Sequence, residues 1–324
     1  MPKVEDDIYS RSAGLIENGA LLRKRVLIIG LGSFGSVIAV DLAKAAVGNF
    51  TLVDFDRLER HNVVRHACFL NDVGRLKTDA VGDLILGKNP YAHIDRHPID
   101  MNDDLTMVAR EIDRADLVIC ATDNNASRFN LSKLLLSHPK TCLFGRAVTR
   151  AEGGDVFRYR PGGPCYCCLI GNQWFDMAAE EITNKDSARR NGRIAAYVSE
   201  EDADAMIQVG LASDIEPITN LMVKLALVEL SRGTESGISS LGSELTYDYY
   251  MWANRRERRH KNWNPFSSCA NRPTILRWYG AEVDRNSACS LCSTSKMELD
   301  DGSADEARLK EFARDRDAVR QVRV

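Results

Sequence analysis

Three glycines near the start of the chain have the spacing of a phosphate-binding turn. Gly30, Gly32 and Gly35 follow a short apolar run and precede a segment rich in Ala, Val and Leu. In such a turn the first glycine makes the tight bend and the second lets the backbone approach a phosphate, while the third lets the helix pack on the strand. Asp54 ends the next apolar run, where an acid can bind ribose hydroxyls. The pattern predicts a nucleotide site, for which NAD is the usual ligand.

Two C-x-x-C pairs lie far apart in the sequence. Cys165 with Cys168, and Cys289 with Cys292, can supply four thiolates to one zinc ion. A closed four-cysteine site leaves no open coordination position, so we expect a structural clamp. A pair of buried thiols or a redox dithiol is the alternative, and Cys167 lies between two ligands as a competitor for the metal.

A set of polar residues follows the predicted strands at the edge where ligands bind in open α/β sheets. The set is Asp54, Asp56, Asn62, Arg65, Lys77 and Asp123. Taken singly, each is also typical of a polar surface. Together they exceed what an NAD enzyme needs and suit a triphosphate, because cations neutralise charge on the reacting phosphorus and a carboxylate can hold magnesium.

Alternating apolar segments predict the elements that position these residues. Strands are expected at 26–29, 50–53, 92–99, 116–121, 141–148, 154–159, 244–256 and 274–279. Helices are expected at 34–47, 73–86, 103–114, 126–137, 217–230 and, in the tail, 304–319. The βαβ start calls for a mostly parallel sheet, and the short turn after residue 148 calls for an antiparallel continuation. The predicted class is α/β, Rossmann-like, with a zinc clamp.

Composition is that of an ordinary globular protein. The 324 residues are 44% hydrophobic and 27% charged, with a formal net charge of −3. Such a charge gives no reason to expect a nucleic-acid or membrane partner. No leader pattern and no membrane-length apolar run is present, which predicts a cytoplasmic protein, and the odd count of nine cysteines argues against a disulfide framework.

Seven motifs together resemble the ThiF/MoeB/HesA group, which has the adenylation fold shared with ubiquitin-activating enzymes. They are the glycine turn 27–35, Leu52-Val-Asp-Phe-Asp56, His61-Asn-Val-Val-Arg65, Asp72 to Lys77, Ala121-Thr-Asp-Asn124, the two cysteine motifs taken as one clamp, and Tyr9-Ser-Arg11. Gly145-Arg-Ala147 and Glu152-Gly-Gly154 match the middle of the same pattern. The resemblance runs from about Ile8 to about Cys292.

The resemblance implies a role for each matched residue. Gly30, Gly32 and Gly35 would cradle ATP and Asp54 would hold its ribose, with Asp56 and Asn124 also in the nucleotide site. Asn62, Arg65 and Lys77 would contact phosphates, and Asp123 would bind magnesium near the α-phosphate. A lone arginine near a terminus is typical of a solvated charge, but the resemblance implies that Arg11 reaches the neighbouring subunit's site in a homodimer.

The reaction implied by the resemblance is adenylation of a protein's C-terminal carboxylate. A ubiquitin-like or sulfur-carrier protein would attack the α-phosphorus of ATP, and pyrophosphate would leave. Many relatives then form a thioester on a cysteine, but residues 169–230 contain none. Either the reaction stops at the adenylate or another group accepts the acyl unit. Ser213, beside Asp214, and Ser199 are candidates, although both also suit surface hydroxyls or helix caps.

Three other readings remain open. The enzyme could adenylate a small-molecule, peptide or tRNA-bound carboxylate. It could be an NAD-dependent oxidoreductase, or a non-catalytic dimeric docking module of the same fold. Residues 231–275 exceed the smallest relatives in length and suit either a conjugating-enzyme contact or an elaborated meander.

The sequence divides into four parts. An N-terminal arm with Arg11 covers 1–24, and a Rossmann-like nucleotide-binding half covers 25–160. The crossing segment, the carrier-binding half and the zinc clamp cover 161–295, and a charged tail covers 296–324.

Overall fold

Eight strands form one mixed sheet in the described part of the chain. The computed structural model describes residues 8–148, 151–171, 199, 210–256 and 274–293. The strands are β1 (Arg25–Ile29), β2 (Asn49–Val53), β3 (His93–His97), β4 (Leu117–Cys120), β5 (Cys142–Ala147), β6 (Gly153–Tyr159), β7 (Tyr249–Ala253) and β8 (Arg277–Ala281). Their order is β3-β2-β1-β4-β5-β6-β7-β8. The first five are parallel, and β6, β7 and β8 continue the sheet in antiparallel pairs, which confirms the predicted fold class.

Helices cover both faces of this sheet. They are α1 (Asn18–Leu21), α2 (Gly35–Lys44), α3 (Lys77–Lys88), α4 (Leu105–Arg114), α5 (Asn125–Ser137), α6 (Tyr166–Ile170) and α7 (Ala212–Leu230). Successive residues of β1 point to opposite faces. Val26 and Ile28 lie in one core with α2, α3 and α7, while Leu27 and Ile29 lie in a second core with α4, α5 and α6. Burial on both faces explains the continuous apolar sequence of β1.

Some element boundaries differ from the sequence prediction. The helix expected at 73–86 begins only at Lys77, because Gly74 has a left-handed φ of 92° and a 3-10 turn occupies Leu70–Asp72. The strand expected at 244–256 is confined to Tyr249–Ala253, the residues that pair with β6 and β8. Helix α7 starts five residues before the predicted Pro217. The expected tail helix and most of the crossing segment lie outside the described residues.

Candidate functional site

A cavity of about 430 Å³ opens at the carboxyl edge of the parallel strands. Strands β1 and β4 are neighbours there, and the chain leaves them toward opposite ends of the sheet, so the cavity lies at the topological switch point. Nine of the predicted nucleotide-site residues line it: Gly30, Gly32, Asp54, Asp56, Asn62, Arg65, Lys77, Asp123 and Asn124. The sequence therefore predicted seven of the polar side chains that line the cavity.

The three glycines of the turn have different surroundings. Gly30 has a φ of 86°, and a Cβ there would lie 2.8 Å from the Ala121 carbonyl oxygen. A Cβ on Gly35 would lie 1.9 Å from the Gly30 carbonyl oxygen, so this glycine allows α2 to pack against the turn and does not line the cavity. At Gly32 no atom lies within 4 Å of a Cβ position. Only Gly32 leaves open space on the cavity side, which suits close approach of a ligand to the backbone.

Asp54 is a buried carboxylate held by two backbone donors. The Leu31 N–H donates to Oδ2 at 2.6 Å and the Asp56 N–H donates to Oδ1 at 2.8 Å. Burial raises the pKa of Asp54 above its ordinary value, while Lys77 and the two N–H groups oppose that shift. The carboxylate thus joins the end of β2 to the glycine turn that follows β1.

Lys77 is the first residue of α3 and its ammonium group is buried beside two acids. Its Nζ lies 2.7 Å from Asp56 Oδ2 and 4.0 Å from Asp54 Oδ1. Burial would lower the pKa of Lys77, but Asp54 and Asp56, together with Asp123, outweigh it and raise the pKa. The group is a fixed cation on the cavity wall and not a proton donor near neutral pH.

Arg65 supplies a second cation from the segment between β2 and α3. Burial lowers the pKa of its guanidinium group, and among the described residues no carboxylate forms an ion pair with it. Asn62 caps its own 3-10 turn, because its Oδ1 accepts from the Glu59 N–H at 2.9 Å. Since a partly buried cation without a counter-ion is unfavourable, an anion bound in the cavity would stabilise Arg65.

The loop after β4 brings an acid to the other side of the cavity. Asp123 is exposed and lines the cavity. Asn124 is the N-cap of α5, and its Oδ1 accepts from the Ser127 N–H at 2.7 Å. The cap uses one of the two lone pairs of this oxygen, while the amide nitrogen and the backbone of Asn124 are not used by the cap.

Among the cavity residues that the sequence did not predict are Arg128, Arg146 and His66. Arg128 donates to the Thr122 carbonyl oxygen at 2.6 Å and to Asn125 Oδ1 at 3.1 Å, so it braces the loop that carries Asp123. Arg146 forms a buried ion pair with Asp155 at 2.7 Å, across the β5–β6 pair. His66 is buried at the cavity wall. Only Arg146 carried a sequence signal, as the central residue of the quoted Gly145-Arg-Ala147 motif.

The four cysteines of the two C-x-x-C pairs converge on one point. All their sulfur atoms lie within 4.8 Å of one another, with Sγ–Sγ distances of 3.8 Å for Cys165–Cys168, 3.6 Å for Cys165–Cys289 and 3.4 Å for Cys168–Cys292. Tetrahedral zinc with bonds of about 2.3 Å separates its sulfurs by about 3.8 Å. The donor set and spacing fit zinc, and Cys167 is not part of the group.

The remaining predicted residues lie outside the cavity. Arg11 is exposed in a 3-10 turn, Ser10–Ser12, and does not line it. Ser199 and Ser213 are exposed and do not line it either. Asp214, whose position beside Ser213 suggested an activating base, instead accepts from Asn254 Nδ2 at 2.8 Å and from the Leu211 N–H at 3.3 Å. All three remain predictions.

The fold and the cavity define a doubly wound α/β protein with its ligand site at the switch point and a separate four-cysteine cluster. The chain belongs to the ThiF family, whose model matches residues 9–262. It is 39% identical over 152 residues to the molybdopterin-synthase adenylyltransferase of Escherichia coli K12, covering 46% of this chain and 60% of that protein. It is 31% identical over 188 residues to the SAMP-activating enzyme E1 of Haloferax volcanii, covering 56% and 66%.

Among solved structures, the chain is similar to Escherichia coli MccB with ATP, at a TM-score of 0.56 and 17% identity, covering 85% of this chain and 68% of that one. This likeness shows the fold. The chain spans about 30% to 60% of the length of the curated relatives it first matches. Among the described helices, none combines the length and the apolar character needed to cross a bilayer.

Proposed function

We propose that the protein uses ATP to adenylate the C-terminal carboxylate of a ubiquitin-like or sulfur-carrier protein in the cytoplasm. The observation that carries the proposal is the pair of cations, Lys77 and Arg65, on the cavity wall that also bears the exposed carboxylate of Asp123. Family membership and two relatives named as an adenylyltransferase and an activating enzyme support it. An NAD enzyme would not need this combination.

In the proposed reaction, a carboxylate oxygen of the carrier forms a bond to the α-phosphorus of ATP. The bond from that phosphorus to the bridging oxygen breaks, and pyrophosphate leaves with the electron pair. Both reactants are anions, so Lys77 and Arg65 lower the barrier by neutralising phosphate charge, and the rigid turn orients the α-phosphate. Asp123 would hold magnesium, which would add Lewis-acid stabilisation of the phosphate oxygens.

We also propose a homodimer in which Arg11 completes the neighbouring site. Arg11 is exposed and does not line the cavity of its own chain described above. The segment that carries Asn62 and Arg65 has three large apolar side chains in solvent: Val64 at 76% exposure, Phe69 at 62% and Leu70 at 64%. Large exposed apolar side chains close in sequence to a site are consistent with a surface that a partner covers.

The four cysteines are proposed to form a structural zinc clamp. The site would be closed, since four thiolates fill the tetrahedron. We assign it no catalytic step, and expect it to tie the α6 segment to the chain after β8.

The adenylate is proposed to leave the enzyme or to pass to a conjugating partner without an enzyme thioester. Of the described cysteines outside the zinc cluster, Cys68 is the one in the segment that lines the cavity. Burial raises its pKa to about 12, which makes it a poor nucleophile. Ser213 and Ser199 remain the candidate acceptors if a covalent intermediate forms.

ATP–pyrophosphate exchange tests the proposal. Exchange is expected with a cognate carrier protein and is expected to vanish when the carrier's C-terminal residue is removed. Mass spectrometry of the same mixture at neutral and alkaline pH separates a free adenylate from an oxyester on Ser213 or Ser199. Exchange that proceeds without any carrier would instead support a small-molecule or peptide carboxylate, and nicotinamide binding would refute the ATP site.

A further inference from the structure

His66 uses both ring nitrogens to contact backbone. Its Nε2 lies 2.7 Å from the Leu31 carbonyl oxygen, and its Nδ1 lies 3.1 Å from the Cys68 backbone nitrogen. Because the Cys68 N–H must donate, Nδ1 is the acceptor and Nε2 carries the proton. The contacts therefore assign one neutral tautomer, which donates to Leu31.

Leu31 is the residue between the first two glycines of the turn, and both of its backbone polar groups are held. Asp54 accepts from its N–H at 2.6 Å, and His66 donates to its carbonyl oxygen. The Leu31 side chain is fully buried in the core. The turn is thus fixed from the β2 side by an acid and from the 60–76 segment by an imidazole.

The same contact docks the segment that carries Arg65. Ala67, the residue after His66, donates its backbone N–H to Ser36 Oγ at 3.2 Å, at the start of α2. His66 and Ala67 therefore join this segment to the glycine turn at two adjacent points. Arg65 directly precedes His66 in the chain and lines the cavity.

We propose that His66 is a positioning residue that holds the glycine turn and Arg65 at a fixed separation, so that one ATP molecule contacts both. This inference rests on the proposed ATP site. With both ring nitrogens engaged by backbone, the imidazole has no nitrogen left to bind substrate or to exchange a proton with it, so its effect passes through Leu31 and Arg65.

The charge state of His66 agrees with this geometry. Burial, together with the nearby Lys77 ammonium, lowers the pKa of His66 to about 4, against the opposing effects of Leu31 and Asp72. The ring is therefore neutral near pH 7 and keeps Nδ1 as an acceptor.

Two amide substitutions separate the two contacts of the ring. In His66→Gln the side-chain N–H₂ can reach the position of Nε2 and still donate to Leu31. In His66→Asn the amide is one methylene shorter, so it can replace Nδ1 as acceptor for Cys68 but cannot reach the Leu31 carbonyl. The pair is matched in polarity, and thermal melting shows whether each variant is folded.

Equilibrium titration with a fluorescent N-methylanthraniloyl ATP analogue and Mg²⁺ provides the readout without any carrier protein. His66→Asn is expected to weaken binding about tenfold, as loss of one positioning hydrogen bond and the resulting shift would do, while His66→Gln stays within about threefold of the unaltered protein. In an Arg65→Ala background, His66→Asn should change the dissociation constant less than about threefold, because the arginine side chain that His66 would position is absent.

Three results would overturn the proposal: unchanged affinity in His66→Asn, equal losses in the Gln and Asn variants, or losses that multiply in the double variant. A lowered melting temperature with unchanged affinity would mark a purely structural role and would also overturn it. If the unaltered protein bound no ATP analogue, the proposed function itself would fail, which is a different outcome from normal binding that ignores His66.

Discussion

Replacing Cys289 with serine should destabilise the whole fold through loss of the zinc clamp. The clamp joins residues that are 124 positions apart in the chain. A cross-link over a loop of that length stabilises a protein by about 5 kcal/mol in the loop-entropy treatment. The serine removes one of the four thiolate ligands and so weakens the binding of zinc to the Cys289–Cys292 pair.

We therefore expect the free energy of unfolding to fall by about 3–5 kcal/mol, a large share of the 5–15 kcal/mol typical of a folded domain. For a chain of this size the melting temperature should fall by about 10 °C. The assay is differential scanning calorimetry combined with zinc analysis by mass spectrometry, before and after treatment with a chelator.

Cys167→Ser is the matched control, because Cys167 is equally buried, lies between two ligands and is outside the four-sulfur group. It should keep one zinc per chain and lose only about 1–3 kcal/mol, the cost of burying a hydroxyl group in place of the thiol. A Cys289→Ser protein that has lost zinc but melts at the original temperature would refute the clamp. Loss of zinc in the Cys167→Ser control would refute the ligand assignment.

Three further predictions concern the cavity. Gly35→Ala should unfold or strongly destabilise the protein, since its Cβ would lie 1.9 Å from a backbone carbonyl oxygen. Gly32→Ala has open space around its Cβ position, so it should melt normally and bind ATP about tenfold more weakly. Equal melting temperatures of the two variants would contradict this. Lys77→Met should cost about 3 kcal/mol at pH 7, because it leaves the buried Asp54 carboxylate without its cation. Without Lys77 the pKa of Asp54 rises further, so the loss of stability in Lys77→Met should grow as the pH rises from about 4 and the carboxyl group ionises. Urea titrations at several pH values measure this, and a loss of stability that does not depend on pH would contradict the pairing of Lys77 with Asp54. Burial lowers the pKa of His66 to about 4 in the folded protein, below its unfolded value of about 6.5. The contribution of the neutral ring to the free energy of unfolding is therefore complete above pH 6.5 and falls by about 3 kcal/mol as the pH falls to 4. His66→Gln should lack this acid-dependent loss of stability, and identical acid sensitivity of the two proteins would refute the prediction.

The sequence predicted the parts of the site that are encoded locally. The glycine spacing, the acid after β2 and the two C-x-x-C pairs are each set by a few neighbouring residues, so their types and spacing suffice. Helix α5 shows the limit of this approach. An asparagine just before an apolar helix is typical of an N-cap, and Asn124 has that role here, although it was predicted only as a nucleotide contact.

Residues whose partners lie in distant segments could not be found this way. Arg146 pairs with Asp155 only because β5 and β6 align in one antiparallel register. His66 reaches Leu31 only because the 60–76 segment folds back on the glycine turn. Lys77 was placed in the correct helix, but its position as the first residue depends on the left-handed Gly74.

Pyrophosphate exchange by an Asp123→Ala variant tests the central proposal most directly. The matched control is Asp113→Ala, which removes an exposed carboxylate that pairs with His138 on the surface. With a cognate carrier and Mg²⁺, the Asp123→Ala protein should fold and bind ATP but lose exchange by at least about a hundredfold, while Asp113→Ala keeps it. Full exchange in the Asp123→Ala protein would contradict the proposed adenylation site.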